Sequence, residues 1–110
     1  MNIAPKTSAL LGFAKKAGLL QSGESAVSVA MKKKSVNLLI IANDLPEKRK
    51  IHWEKWCETN NAGCVTLGTK QEFGHILGLS ARGILAVTDR KMAEAIITTI
   101  RTNVESHIEI

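Results

Sequence analysis

Apolar positions recur along the chain with two different periods, and their alternation outlines a fold. Between residues 5 and 17, Leu10, Phe13, Ala14 and Ala17 follow the i, i+3, i+4, i+7 spacing of one helical face. Pro5 stands near the start of that stretch and Gly18 just past its end, the asymmetry that helices favour. The spacing predicts a helix over 5–17 and a very short strand over 19–21. Ser22 is placed to cap a second helix whose inward face is Ala26, Val29 and Ala30. Lys32, Lys33 and Lys34 close it, where cations meet the negative end of the helix dipole.

The run Leu-Leu-Ile-Ile-Ala within 37–42 is short and continuous, which suits a strand covered on both faces. Asp44 and Glu47 have capping-box spacing with Pro46 between them, so a helix is expected from there to about Asn60. Trp53, Trp56, Cys57 and Asn60 share one face of it. Gly63 ends the following loop, and 64–67 reads as a strand. Thr69 and Glu72 form a second capping box, opening a helix with Phe73, Ile76 and Leu77 inward and Gly78 as its stop. Residues 84–88 read as a strand. Asp89 opens a last helix that buries Met92, Ala93, Ile96, Ile97 and Ile100. Strands thus alternate with helices from residue 37 onward. That order predicts an α/β fold: a three-layer α/β/α sandwich around a small, mostly parallel (mixed) four-stranded sheet. One domain over 1–110 is expected, with 103–110 a loosely packed tail.

Composition narrows the class. The chain has 110 residues, 45% of them hydrophobic and 23% charged, ordinary values for a globular protein. Cys57 and Cys64 lack CxxC spacing and read as two small buried hydrophobes in a reducing compartment. No run reaches the ~18 apolar residues of a membrane span. Lysines interrupt the apolar N-terminal stretch, which argues against a secretory signal and for the cytoplasm. The formal charge is +5, and its excess is regional. Residues 1–55 carry ten Lys/Arg against four Asp/Glu, whereas 56–110 carry five against six. Clustered positive charge attracts polyanions and steers their approach.

Sequence signals for catalysis are sparse. There is no GxGxxG, no complete phosphate loop beyond the fragment Gly68-Thr69-Lys70, and no GxSxG. His52, His75 and His107 have no partner in ligand spacing. Asp44 and Asp89 lie at strand-to-helix turns, where they read as helix caps. No catalytic residue, metal or cofactor is expected.

The segments LLGFAKKAG (10–18), SGE (22–24), LLIIANDLPEK (38–48), TKQEFGHILGLSARGILAVTD (69–89) and MAEAI (92–96) stand in an order and spacing that span nearly the whole chain. In these the chain resembles the kink-turn RNA-binding ribosomal protein superfamily (seven-Ae, thirty-e and Gadd-forty-five-like), and is most similar to its small bacterial YlxQ-type members. The resemblance implies an α/β/α sandwich that binds kink-turn or similarly bent RNA, ribosomal RNA among the candidates, as a non-catalytic monomer, with ribosomal or RNA-processing proteins as further partners. It places RNA contacts on three elements. The first is Gly23, Glu24 and Ser25 at the start of the second helix, where glycine permits close backbone approach and a helix N-terminus offers N–H groups to phosphate. The second is the turn with Asn43 and Asp44. The third is the loop Leu79, Ser80, Ala81 and Arg82, which covers bulged bases. Lys32 and Lys33 are expected near the rim. Where the family has Asn-Glu, this chain has Ser25-Ala26, and that change carries the alternative reading of a protein-interaction module of the same fold. An enzyme acting on a nucleotide or small molecule would instead need a deep polar pocket at the ends of strands 38–42 and 84–88.

Overall fold

A computed structural model describes residues 3–108, with side chains described through residue 102. Helix α1 (Pro5–Lys16) leads to strand β1 (Leu20–Ser22) and helix α2 (Glu24–Lys32). Strand β2 (Leu38–Ile41) is followed by α3 (Glu47–Asn60), β3 (Gly63–Thr66), α4 (Lys70–Leu77), β4 (Ile84–Val87) and α5 (Arg90–Ile108). The sheet order is β1-β4-β2-β3. It is mixed, as expected, but its balance is antiparallel. Only β2 and β3 run parallel, while β4 is antiparallel to both β1 and β2. The reason lies between α4 and β4. The loop 78–83 reverses the chain without carrying it back across the sheet, so β4 enters from the opposite end.

Alternation along the central strands sorts their side chains into two cores. Leu38, Ile40, Leu85 and Val87 face one layer, where Leu11 and Ala14 of α1, Phe73 and Leu77 of α4, and Ala93 and Ile96 of α5 cover them. Leu39, Ile41, Ile84 and Ala86 face the other, under Val27 and Met31 of α2 and Trp53 and Cys57 of α3. Both β2 and β4 are buried along their whole length. Each fully buried Leu or Ile contributes about 1.5–3 kcal/mol relative to exposure, so these two strands anchor the fold.

Several local expectations shift. The inward face of α2 is Val27, Ala30 and Met31, and Val29 is exposed. That of α1 is Thr7, Leu11 and Ala14, and Phe13 is exposed. Both helices carry apolar residues on adjacent positions, so two phases fit the pattern and tertiary packing selects one. Cys64 is exposed because β3 is an edge strand, whereas Cys57 is buried. Ser22 belongs to β1, and α2 has Gly23 at its N-cap without a side-chain cap. Asp44 does not cap α3, whose N-cap is Pro46. Its Oδ1 accepts instead from the Lys70 N–H at 3.0 Å, so it serves the first turn of α4. Two caps stand as expected: Thr69 Oγ1 accepts from Glu72 N–H at 3.1 Å, and Asp89 Oδ2 from Met92 N–H at 2.8 Å. The backbone stays helical to Ile108, and the packing of 103–110, expected to be loose, lies outside the described side chains. Among the described residues no helix is long and apolar enough to cross a membrane.

Candidate functional site

Four connections meet at one end of the sheet: 22–24, 42–46, 67–69 and 78–83. Backbone hydrogen bonds lock them together. Gly23 N–H donates to Ile84 O at 3.0 Å, Ala42 N–H to Gly83 O at 3.0 Å, and Asn43 N–H to Gly68 O at 2.8 Å. Arg82 N–H donates to Lys70 O at 3.1 Å, and the Asp44 carboxylate holds the Lys70 N–H. Three of the connections are thus bonded to one another and the fourth to the first residue of β4, which gives a loop surface a fixed shape.

Two glycines make this closeness possible. Gly23 has φ +88° and ψ 156°, a region in which essentially only glycine is at ease. A Cβ there would lie 3.7 Å from Arg82 Cδ, so Gly23 and Arg82 are neighbours. Gly74, inside α4, lies against the loop: a Cβ would meet Ser80 O at 2.6 Å and Leu79 O at 2.9 Å. The loop 79–82 therefore rests on a helix surface that has no side chain in its way.

Charge is distributed unevenly over this surface. The Arg82 guanidinium folds back on its own loop, with Nη1 donating to Ser80 Oγ at 2.5 Å, Ser80 O at 3.1 Å and Ala81 O at 3.2 Å. Those bonds stiffen 80–82 and leave the arginine beside Gly23. Glu24 is paired with Arg49 of α3, whose Nη2 lies 2.8 Å from Glu24 Oε1, and Arg49 also lies over the Trp53 ring at 5.7 Å. The carboxylate at the start of α2 is therefore compensated. Leu79 is partly exposed on the same loop, offering an aliphatic surface.

The structure brings together Gly23, Glu24, Ser25, Asn43, Asp44, Leu79, Ser80, Ala81 and Arg82, all on these connections or the helix start they abut. Lys32 and Lys33 do not join them. They end α2, about 12 Å of helix from Glu24, and Lys33 lies with Ser35 and Thr88 toward the other end of β4. Arg49 and Lys70 belong to the cluster without being among the expected site residues. Arg49 reaches it through an ion pair that spans 25 positions, for which the sequence holds no local signal. Lys70 was visible only as part of the fragment Gly68-Thr69-Lys70. Among the described residues no group of three or more His, Cys, Asp or Glu is arranged to hold a metal ion.

The model of the Ribosomal protein L7Ae/L30e/S12e/Gadd45 family matches residues 6–97, a span that contains all four connections. Among solved structures, the chain is similar to a protein with unknown function from Bacillus halodurans C, at 29% sequence identity and a TM-score of 0.76. The likeness covers 84% of this chain and 98% of that one. No curated protein matches the chain significantly.

Proposed function

The chain belongs to the ribosomal protein L7Ae/L30e/S12e/Gadd45 family, and from that membership we propose that it binds structured RNA of the kink-turn kind through the end of the sheet where the four connections meet. The observation that carries this reading is the adjacency of Gly23 and Arg82. A bare, uncapped helix start lies beside a guanidinium, on a surface held by cross-connection hydrogen bonds. Phosphate can approach Gly23 closely because no side chain stands there, and the first N–H groups of α2 have the polarity to receive it. Arg82 and Lys70 add positive charge, and a guanidinium can bind phosphate with two parallel hydrogen bonds. Leu79 and Ala81 offer small aliphatic cover for bases turned out of a bend, in keeping with RNA recognition by shape and unstacked bases. The surface works by positioning and asks for no covalent step. In this reading the protein acts as a monomeric, cytoplasmic, single-domain module of YlxQ type. Its RNA is ribosomal or otherwise folded, and its neighbours are ribosomal or RNA-processing proteins.

The test is a gel shift with a kink-turn RNA and a straight duplex of equal length at two salt concentrations. The kink-turn complex should form preferentially and weaken as salt rises. Arg82→Ala should lower affinity by about 10-fold or more, the worth of one hydrogen bond to a charged group. A Lys32→Ala, Lys33→Ala double change should cost less. Absence of binding to either RNA at low salt refutes the proposal. A second reading, a protein-contact module, draws support from Ser25-Ala26 standing where the family has Asn-Glu. Ser25→Asn with Ala26→Glu should strengthen kink-turn binding if the RNA reading holds, and unchanged affinity favours the second.

A further inference from the structure

We propose that the groove between α1 and α4 is a second binding surface, one that takes an acidic amphipathic helix from a protein partner. The groove measures about 580 Å³, with Gly12, Phe13 and Ile76 as apolar surface and Lys15, Lys16 and His75 around it. No carboxylate lines it. Phe13 is 60% exposed, the most exposed large hydrophobic side chain described.

The groove's shape has a specific origin. Lys15 Nζ donates to Leu77 O at 2.8 Å, tying α1 to the last turn of α4 and holding the two helices as walls. Gly12 leaves space between them: a Cβ there would meet only Ile76 O, at an ordinary 3.9 Å. No internal contact demands a glycine at this helix-interior position, where alanine is the better helix former. Its effect is to deepen the groove beside Phe13.

The lining selects the occupant. Two helices with a trough between them accept a third helix, which reads as anchors at i, i+3, i+4 and i+7. The apolar surface calls for apolar anchors, and a border with the Lys16 ammonium free and no carboxylate calls for an Asp or Glu beside them. RNA suits the groove less well. Lys15 is committed to a carbonyl, which leaves the Lys16 ammonium for phosphate beside a single ring. This surface stands apart from the Gly23–Arg82 end of the sheet, so it holds or fails independently of RNA binding there.

The test selects random peptides displayed on phage against the immobilised full chain, with Phe13→Asp as the counter-selected protein. The expected winners carry two or more apolar residues three or four apart, flanked by Asp or Glu. A synthetic winner should bind the unaltered chain at least 10-fold more tightly than Phe13→Asp and than Lys16→Glu. Circular dichroism should show both variants folded, since both side chains are exposed. No enrichment, winners without the acidic-apolar pattern, or binding insensitive to Phe13→Asp each overturn the proposal. So does protection of residues 8–16 by RNA, or self-association of the chain that Phe13→Asp abolishes.

Discussion

Gly12 and Gly74 both sit inside helices, one in α1 and one in α4, and an alanine at each should have opposite effects. Helix propensity alone favours alanine over glycine by about 1 kcal/mol at either position. At Gly12 the new methyl meets only Ile76 O at 3.9 Å, so most of that gain should be realised. At Gly74 it meets Ser80 O at 2.6 Å, Ser80 C at 2.8 Å and Leu79 O at 2.9 Å. These are backbone atoms and cannot rotate aside. Such overpacking costs about 1–3 kcal/mol, which cancels or exceeds the propensity gain. The two variants should therefore differ by about 1–3 kcal/mol, or roughly 4–12 °C in Tm for a domain of this size. Thermal unfolding followed by circular dichroism measures the difference. Amide hydrogen exchange locates it, because the Leu79 N–H is bonded to Gly74 O at 2.8 Å and loses protection if the loop is pushed away. A displaced loop also moves Arg82, so Gly74→Ala should weaken RNA binding while Gly12→Ala leaves Leu79 protected. If Gly74→Ala raises Tm as much as Gly12→Ala does, with Leu79 still protected, the account of how the loop is seated is wrong.

Two further outcomes follow from the same geometry. Glu24→Gln should free Arg49 and remove a negative charge beside the proposed phosphate path. RNA affinity at low salt should rise severalfold, while stability changes by less than about 1 kcal/mol, since the Arg49–Glu24 pair is largely exposed; a weaker complex in filter binding would count against the site. The cysteines should react in a fixed order. A hydrogen bond with Cys64, then burial, pushes the Cys57 thiol up, and the same bond holds the Cys64 thiol below its ordinary value. Cys64 is also the exposed one of the two. Iodoacetamide at neutral pH should thus label Cys64 in the folded protein and Cys57 only after unfolding, and mass spectrometry showing Cys57 labelled first would contradict the pairing.

Much of the fold was legible because its signals are local. The run at 38–41 is apolar on both faces, and only a central strand buries such a run completely. Thr69 and Asp89 cap the helices they precede, since a side chain bonding three residues ahead needs no tertiary partner. What sequence left open depended on phase or distance. LLGFA in α1 and AVSVAM in α2 each allow two inward faces, and the packing of the sheet decides between them. The balance of strand directions is not legible, because the sequence of 78–83 does not say to which end of the sheet it returns the chain. Asp44 has the spacing to cap α3 and instead bonds α4, which is 26 positions from it in sequence.

The candidate site shows why local signals and distant ones must be combined. Gly23, Asn43 and the 79–82 loop could be named from sequence because each interrupts a regular element. Their arrangement comes from β4, which pairs with β1 on one side and β2 on the other. That central place brings Gly83 beside Ala42 and Ile84 beside Gly23, each through a backbone bond. Had β4 been an edge strand, one of those connections would have no neighbour to hold it. The same pairing explains why Lys32 and Lys33 fall away from the site. β1 and α2 run in opposite directions along the sheet, so a helix that starts at this end carries its last residues to the other. Local charge density is therefore a poor guide to the surface. The cations found at the candidate site, Arg82, Lys70 and Arg49, are scattered in sequence and gathered by the order of the strands.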